Sequence, residues 1–264
     1  MQAAHQVARY DPDRPGTYHL SILSTPGAQA WCVHDTSDGA CLAIHSDQGE
    51  ALPAQDVLPK DAVSVTFIGA PELSTLVPES ALVPGSEMEH LTLVHGALPT
   101  GLMRDEPIEP IGARCVYLHD ERTEHAILQR FPAARPLSLR GLLVQRAIDH
   151  GRSGAALILH RIGDRMDLAI ADRGRLLLSN SYHVGGATDT LFHVLFAVEQ
   201  VSMVPDRIKV YAGGPAWGQE EQYLLRRYLV DCAAAVPSDR MDLAALGVQA
   251  PERWLALFEQ VACA

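Results

Sequence analysis

Apolar and polar positions alternate in short bursts along this chain, and one arrangement of bursts occurs twice. Residues 18–23, 29–34 and 40–45 predict three short strands. The stretches between them, Ser24-Thr25-Pro26-Gly27 and Asp35-Thr36-Ser37-Asp38-Gly39, are turn chemistry. From Ala155 the arrangement returns as strands over 155–161, 166–171 and 175–179, turning at Gly163-Asp164 and Asp172-Arg173-Gly174. Each three-strand meander is followed by helical periodicity and another apolar strand. That strand is 64–69 or 116–119 in the first half and 207–212 in the second.

The helical stretches each carry their own signals. Residues 87–95 predict a short helix, and 120–131 a second with Asp120 as N-cap and Glu121 and Glu124 in its first turn. Over 137–150, Leu139, Leu142, Leu143, Ala147 and Ile148 form one apolar stripe. Thr188 is the expected cap of a helix over 188–201, where Phe192, Val194, Phe196 and Val198 leave little polar face, so burial on most sides is expected. Helices near 217–230 and over 251–263 follow, the latter with Trp254, Leu257, Phe258 and Val261 on one face, expected to dock on the body of the protein. Residues 1–16 read as a tail or edge segment. Over 70–113 the pattern assigns little beyond the short helix and an extended stretch at 103–106: Pro78 and Pro84 exclude a helix interior and a central strand around them.

A meander followed by alternating helix and strand is the ribonuclease-H-like plan. Two in tandem predict an α/β, two-lobed actin-like ATPase architecture, with lobes 1–136 (carrying an insertion) and 137–264 and a cleft between them.

Composition narrows the function. An apolar content of 47% with 20% charged residues suits a packed globular chain. A net charge of −11 opposes broad attraction to nucleic acid or anionic membrane. No stretch has the ~20 apolar residues of a membrane helix, and the polar start is no signal peptide, so no membrane insertion and a cytoplasmic location are expected. Cys32, Cys41, Cys115, Cys232 and Cys263 contain no C-x-x-C pair, a spacing that fits neither a zinc site nor a disulfide scaffold, and no metal is expected. His119-Asp120 and Glu124-His125 are unspecific as ligands and read as solvated capping residues.

Residues 156–215, whose meander ends in Asn180-Ser181-Tyr182 before an apolar helix and a strand, resemble the core segment of an uncharacterised, domain-of-unknown-function family of actin-like proteins. The segment STLVPESALVP (74–84) resembles that family's Val-Pro segment. More distantly, the chain is similar to cytoplasmic actin-like proteins of type IV pilus and type II secretion assembly. In active actin-like ATPases two hairpins bind phosphate, and the resemblance places the first on residues 20–24. Ser21 then stands where an aspartate belongs and Leu23 where a glycine belongs. In the second hairpin His160 replaces an acid and Ile162 a glycine, while Gly163 and Asp167 are kept. Gly213 and Gly214 match the glycine pair that holds adenosine.

The candidate cleft residues are therefore Gly163, Asp167, Gly213 and Gly214, with no catalytic group among them. For Asp167 a carboxylate facing water is the expected role. The leading reading is a non-catalytic scaffold or partner-binding protein with an unknown protein partner and degenerate nucleotide motifs. It predicts no ATPase activity and disfavours ATP or ADP as cofactors. The alternative is a nucleotide or other small-ligand binder using the cleft, and a homodimer built on a strand edge or the last helix is a third.

Overall fold

The computed structural model describes residues 3–49, 57–235, 243 and 246–263. In chain order the strands are β1 (Ala3–Gln6), β2 (Tyr18–Thr25), β3 (Ala28–Asp35), β4 (Cys41–Gln48), β5 (Ser64–Gly69) and β6 (Leu73–Pro78). Helix α1 (Glu87–His95) precedes β7 (Leu102–Ile108) and β8 (Ala113–His119); α2 (Glu121–Arg130), β9 (Arg135–Pro136) and α3 (Leu139–His150) follow. The second half contains β10 (Ala155–Ile162), β11 (Arg165–Asp172), β12 (Arg175–His183) and α4 (Ala187–Gln200). It continues with β13 (Ile208–Gly213), α5 (Gln219–Tyr228), β14 (Asp231–Ala234) and one turn of α-helix, α6 (Leu255–Phe258), flanked by 3-10 turns.

The repeat in the sequence is a repeat in topology. One sheet runs β1-β4-β3-β2-β5-β9 and the other β12-β11-β10-β13-β14. Apart from the extra edge strand β1, β4-β3-β2-β5-β9 superposes in order on β12-β11-β10-β13-β14. In each, an antiparallel meander pairs its first strand in parallel with a later one, β2 with β5 and β10 with β13. β2 and β10 are buried along nearly their whole length because both faces of each sheet are covered.

Of the two strands proposed for the first half, Ser64–Gly69 takes the position inside the main sheet. β8 belongs instead to a separate three-stranded sheet, β6-β8-β7, which accounts for much of the stretch the sequence left unassigned. Pro78 ends β6 at the edge of this small sheet, where a missing N–H costs no ladder bond.

Helix α3 lies between the sheets. Its N-cap Ser138 accepts from the Gly141 N–H at 3.1 Å, and Leu142, Leu143, Val144 and Ala147 sit in one core with Ile68 of the first sheet and Ile158 of the second. Asp120 caps α2 as expected, accepting from the Thr123 N–H at 2.8 Å.

Helix α4 departs from expectation in two ways. It starts at Ala187 after Gly186 without a side-chain cap at that position, while the Asp189 carboxylate accepts from the Gly185 N–H at 2.8 Å. Nor is it enclosed. Val194, Ala197 and Val198 pack on the second sheet, but Phe192 is 61% and Phe196 40% exposed, their rings stacked on each other at 6.1 Å. A sheet covers only one side of a helix, and here no further layer among the described residues covers the other. No helix among the described residues is long and apolar enough to cross a membrane.

Candidate functional site

The two hairpins that would bind phosphate face each other across the space between the sheets, and residues 251–263 occupy that space. Trp254, Leu255, Leu257 and Phe258 share one core with Leu23 of the first hairpin and with Ile158 and Ile162 of the second. Alternation along the strands decides which side chains take part. His19, Ser21 and Leu23 of β2 face inward, as do Cys32 and His34 of β3 and Ile158, His160 and Ile162 of β10.

On the first hairpin every polar group near Ser21 is tied to the structure. Ser21 Oγ lies 3.0 Å from His19 Nε2, and His19 Nδ1 lies 2.8 Å from Ser64 Oγ. Thr66 Oγ1, 3.2 Å from the same Nε2, donates to Gln260 Oε1 at 3.0 Å. Gln260 Nε2 in turn donates to the Ile22 carbonyl at 2.9 Å, so the C-terminal segment closes the network over the hairpin. Burial, then the neighbouring His34 and Arg135, push His19 down to about 3. The imidazole is therefore neutral, and its two nitrogens are engaged by the surrounding hydroxyls.

The second hairpin is different. His160, where an acid would stand, is fully buried, and neither ring nitrogen has a partner among the described residues. Burial lowers it to about 4 against a small opposing pull from Asp167. Asp167 does not face water as expected. It is buried, paired with Arg165 at 2.8 Å, and accepts from Ser181 Oγ. Ser181 also receives Arg140, whose guanidinium donates to Ser74 and Ser179 as well. The carboxylate is thus the end of a polar chain that binds the small sheet to the second meander. Gly163 has φ +55° in the β10–β11 turn, a turn requirement in itself.

Gly213 and Gly214 make close approaches of backbone to backbone. A Cβ at Gly213 would collide with the Glu252 carbonyl, and one at Gly214 (φ +106°) with the backbone of Arg161. The Gly214 N–H donates to the Glu252 carbonyl at 2.9 Å. The glycine pair is therefore used, and what it accommodates is the chain's own segment. Of the four candidate residues, the structure brings Gly213 and Gly214 together against that segment, while Gly163 and Asp167 are engaged elsewhere.

Two groupings escaped the sequence reading and a third was misread. Cys32, His34 and Cys41 meet on the inner face of the first sheet, all buried, with one ligating atom of each within 4.8 Å of the others. Burial raises the Cys32 thiol, whereas hydrogen bonds from Cys32 and then His34 lower that of Cys41. The signal was the alternate-residue pair Cys32-x-His34 with a turn returning Cys41 beside it.

His119 and Glu124 are a buried pair at 3.0 Å rather than solvated caps, and Arg104 adds its guanidinium to Glu124. Burial works against the Glu124 charge, yet these two partners outweigh it and hold the carboxyl below its ordinary value. The pair borders a cavity of about 520 Å³ with Ser24, Gly69 and Arg122.

Glu106, beside Glu72 under α3, is raised to about 8 by burial and by the Glu72 charge. No periodicity pairs residues 106 and 72 in advance.

Comparison with solved structures supports the architecture. A Bacteroides thetaiotaomicron protein of actin-like ATPase fold and unknown function matches at 14% identity with a TM-score of 0.76, covering 94% of this chain and 96% of that one. A chain of the PilM–PilN type IV pilus biogenesis complex matches at 12% identity and TM-score 0.54, covering 91% and 95%. The ethanolamine utilization protein EutJ from Carboxydothermus hydrogenoformans matches at 11% and 0.50, covering 96% and 94%. At these identities the likeness is one of fold: two ribonuclease-H-like units in an actin-like arrangement. No curated protein matches the sequence. Residues 8–230 match the profile of a family described as a protein of unknown function, DUF3822, and the chain belongs to that family.

Proposed function

We propose that this protein is a non-catalytic, partner-binding member of the actin-like fold. One observation carries the reading: residues 251–263 pack against both hairpins, with Glu252 on the glycine pair and Gln260 bonded into the first hairpin. A ligand entering there has to displace Phe258 and Leu257 from a packed core, which costs several kcal/mol before any phosphate is contacted. The acids that hold Mg²⁺–water are replaced by Ser21 and His160. A partner-binding role is supported by open apolar surface on α4, of the kind proteins cover on association. It is supported also by a neighbour of the same fold being part of a PilM–PilN type IV pilus biogenesis complex.

The test is a thermal-shift series with ATP, ADP and Mg²⁺, run beside a phosphate-release assay. A ligand at 100 times its dissociation constant adds about 2.7 kcal/mol of stability. No shift and no Mg²⁺-dependent release are expected. A shift of that size, or turnover abolished by Asp167→Ala, overturns the reading in favour of a small-ligand binder.

A further inference from the structure

We propose that Cys32, His34 and Cys41 form a zinc site enclosed within the inner face of the first sheet. Cys32 and His34 are alternate residues of β3 and point the same way. The register shift between Val33 and His34 sets His34 opposite Cys41 of β4, so three soft donors converge from two adjacent strands. Their ligating atoms lie within 4.8 Å of one another, and Cys32 Sγ is 3.8 Å from His34 Nδ1 and 4.0 Å from Nε2. Tetrahedral zinc, with Zn–S near 2.3 Å and Zn–N near 2.0–2.1 Å, requires S···N edges of about 3.5 Å and S···S edges of about 3.8 Å. The Cys32 Sγ–His34 Nδ1 separation of 3.8 Å is near that S···N edge, and binding has to turn the His34 ring to aim one nitrogen at the ion and bring the remaining donors in from within 4.8 Å.

The two thiols have only weak bonds to backbone carbonyls, Cys32 to Leu257 at 3.8 Å and Cys41 to Ala43 at 3.7 Å, and the surroundings favour a metal over that arrangement. All three residues are fully buried. Among the described residues no oxygen or nitrogen lies within hydrogen-bond reach of the His34 ring, whose polar neighbours are thiols. A buried imidazole satisfied only by weak sulfur partners is poorly compensated for the water it has lost. Zinc answers that deficit. Two thiolates and a neutral imidazole also cancel the charge of Zn²⁺, so the centre as a whole is neutral and escapes the penalty of a buried net charge. With no carboxylate in the cluster, the donor set suits a soft or borderline ion and not Mg²⁺ or Ca²⁺.

His19, its ring 6.2 Å from His34, already spends both nitrogens on Ser64, Ser21 and Thr66 and is not a ligand. The fourth position falls to oxygen, and the Leu257 carbonyl stands 3.8 Å from Cys32 Sγ. Bound metal would then fasten the β3–β4 hairpin beneath the C-terminal segment. Because the ligands are enclosed, the ion enters as the chain folds.

The test uses the untagged full chain, produced in zinc-supplemented medium and desalted, with metal measured by plasma mass spectrometry. One equivalent of zinc per chain is expected, falling at least tenfold in Cys41→Ser and in the double variant Cys32→Ser/Cys41→Ser. Refolding the wild type with Co²⁺ should give thiolate-to-cobalt absorption, an arm that stands even where a serine variant fails to fold. The proposal is overturned by folded wild-type protein that holds less than a tenth of an equivalent of zinc and shows no cobalt–thiolate band. It is equally overturned by a Cys32–Cys41 disulfide in the intact mass, or by undiminished zinc in the double variant.

Discussion

The inner faces of the two sheets carry different polar arrangements at matching positions. On the first, Ser21 sits in a closed network of His19, Ser64, Thr66 and Gln260, each member answered by another. On the second, His160 has no partner among the described residues, and the nearby Asp167 is committed to Arg165 and Ser181. Ser21 and His160 stand where the resemblance places an acid on each hairpin, and the fold accommodates the two differently. The first has become a structural junction with the C-terminal segment. The second retains a polar residue whose only visible accommodation is to stay uncharged. The two faces thus differ in how fully hydrogen bonding satisfies the polar residues they bury.

The largest effect should come from removing what fills both faces at once. Phe258→Ala, at a fully buried position between the sheets, is expected to cost about 3–5 kcal/mol in urea unfolding. A loss below about 1 kcal/mol would mean the faces do not depend on the segment, and the comparison would fail.

Next comes the junction itself. Gln260→Ala leaves the Ile22 carbonyl and Thr66 hydroxyl buried without their partner, an expected loss of about 1–3 kcal/mol. His160→Leu is the counterpart on the second face, and at pH 7 it should be neutral or stabilising because no hydrogen bond is given up.

The same variant has a pH signature. His160 titrates near 4 in the folded chain against 6.5 for an ordinary histidine. Between those values the unfolded chain takes up a proton that the folded chain refuses, so stability falls as pH drops from about 6.5 to 4 and levels off below. His160→Leu should reduce that slope in urea midpoints, leaving the part due to His19, which is lowered to about 3. An unchanged slope would refute the account of the second face.

The smallest effect is expected outside both faces. Phe196→Ser on the open side of α4 should change stability by less than about 1 kcal/mol in the same unfolding series. A loss comparable to that of Phe258→Ala would show this side to be covered.

What could be read from the sequence was local. The two meanders announce themselves because turn chemistry and two-residue alternation act within a few residues, and Asp120 caps α2 for the same reason. The small sheet was hidden because β6 and β8 are far apart in sequence and Pro78 argues against a strand unless its edge position is known. Phe192 and Phe196 were misplaced because hydrophobicity all round a helix does not say how many layers will cover it. The Cys32–His34–Cys41 grouping depends on strand register, which spacing rules drawn from metal-binding turns do not describe. Asp167 was assigned to solvent because, beside its neighbour Arg165, what encloses it is Ser181 of the next strand and, through that hydroxyl, Arg140 of α3.

The bond from Gln260 to the Ile22 carbonyl joins residues 238 positions apart, and the Cys32–Leu257 contact spans 225. During synthesis β2 and β3 are therefore made long before the segment that seals them. Contacts of this separation are closed late and slowly, and surface awaiting them is exposed to association in the meantime. Until residues 251–263 are made and docked, the inner face of the first sheet lacks its cover, so a chain cut before residue 251 should associate more readily than the full one.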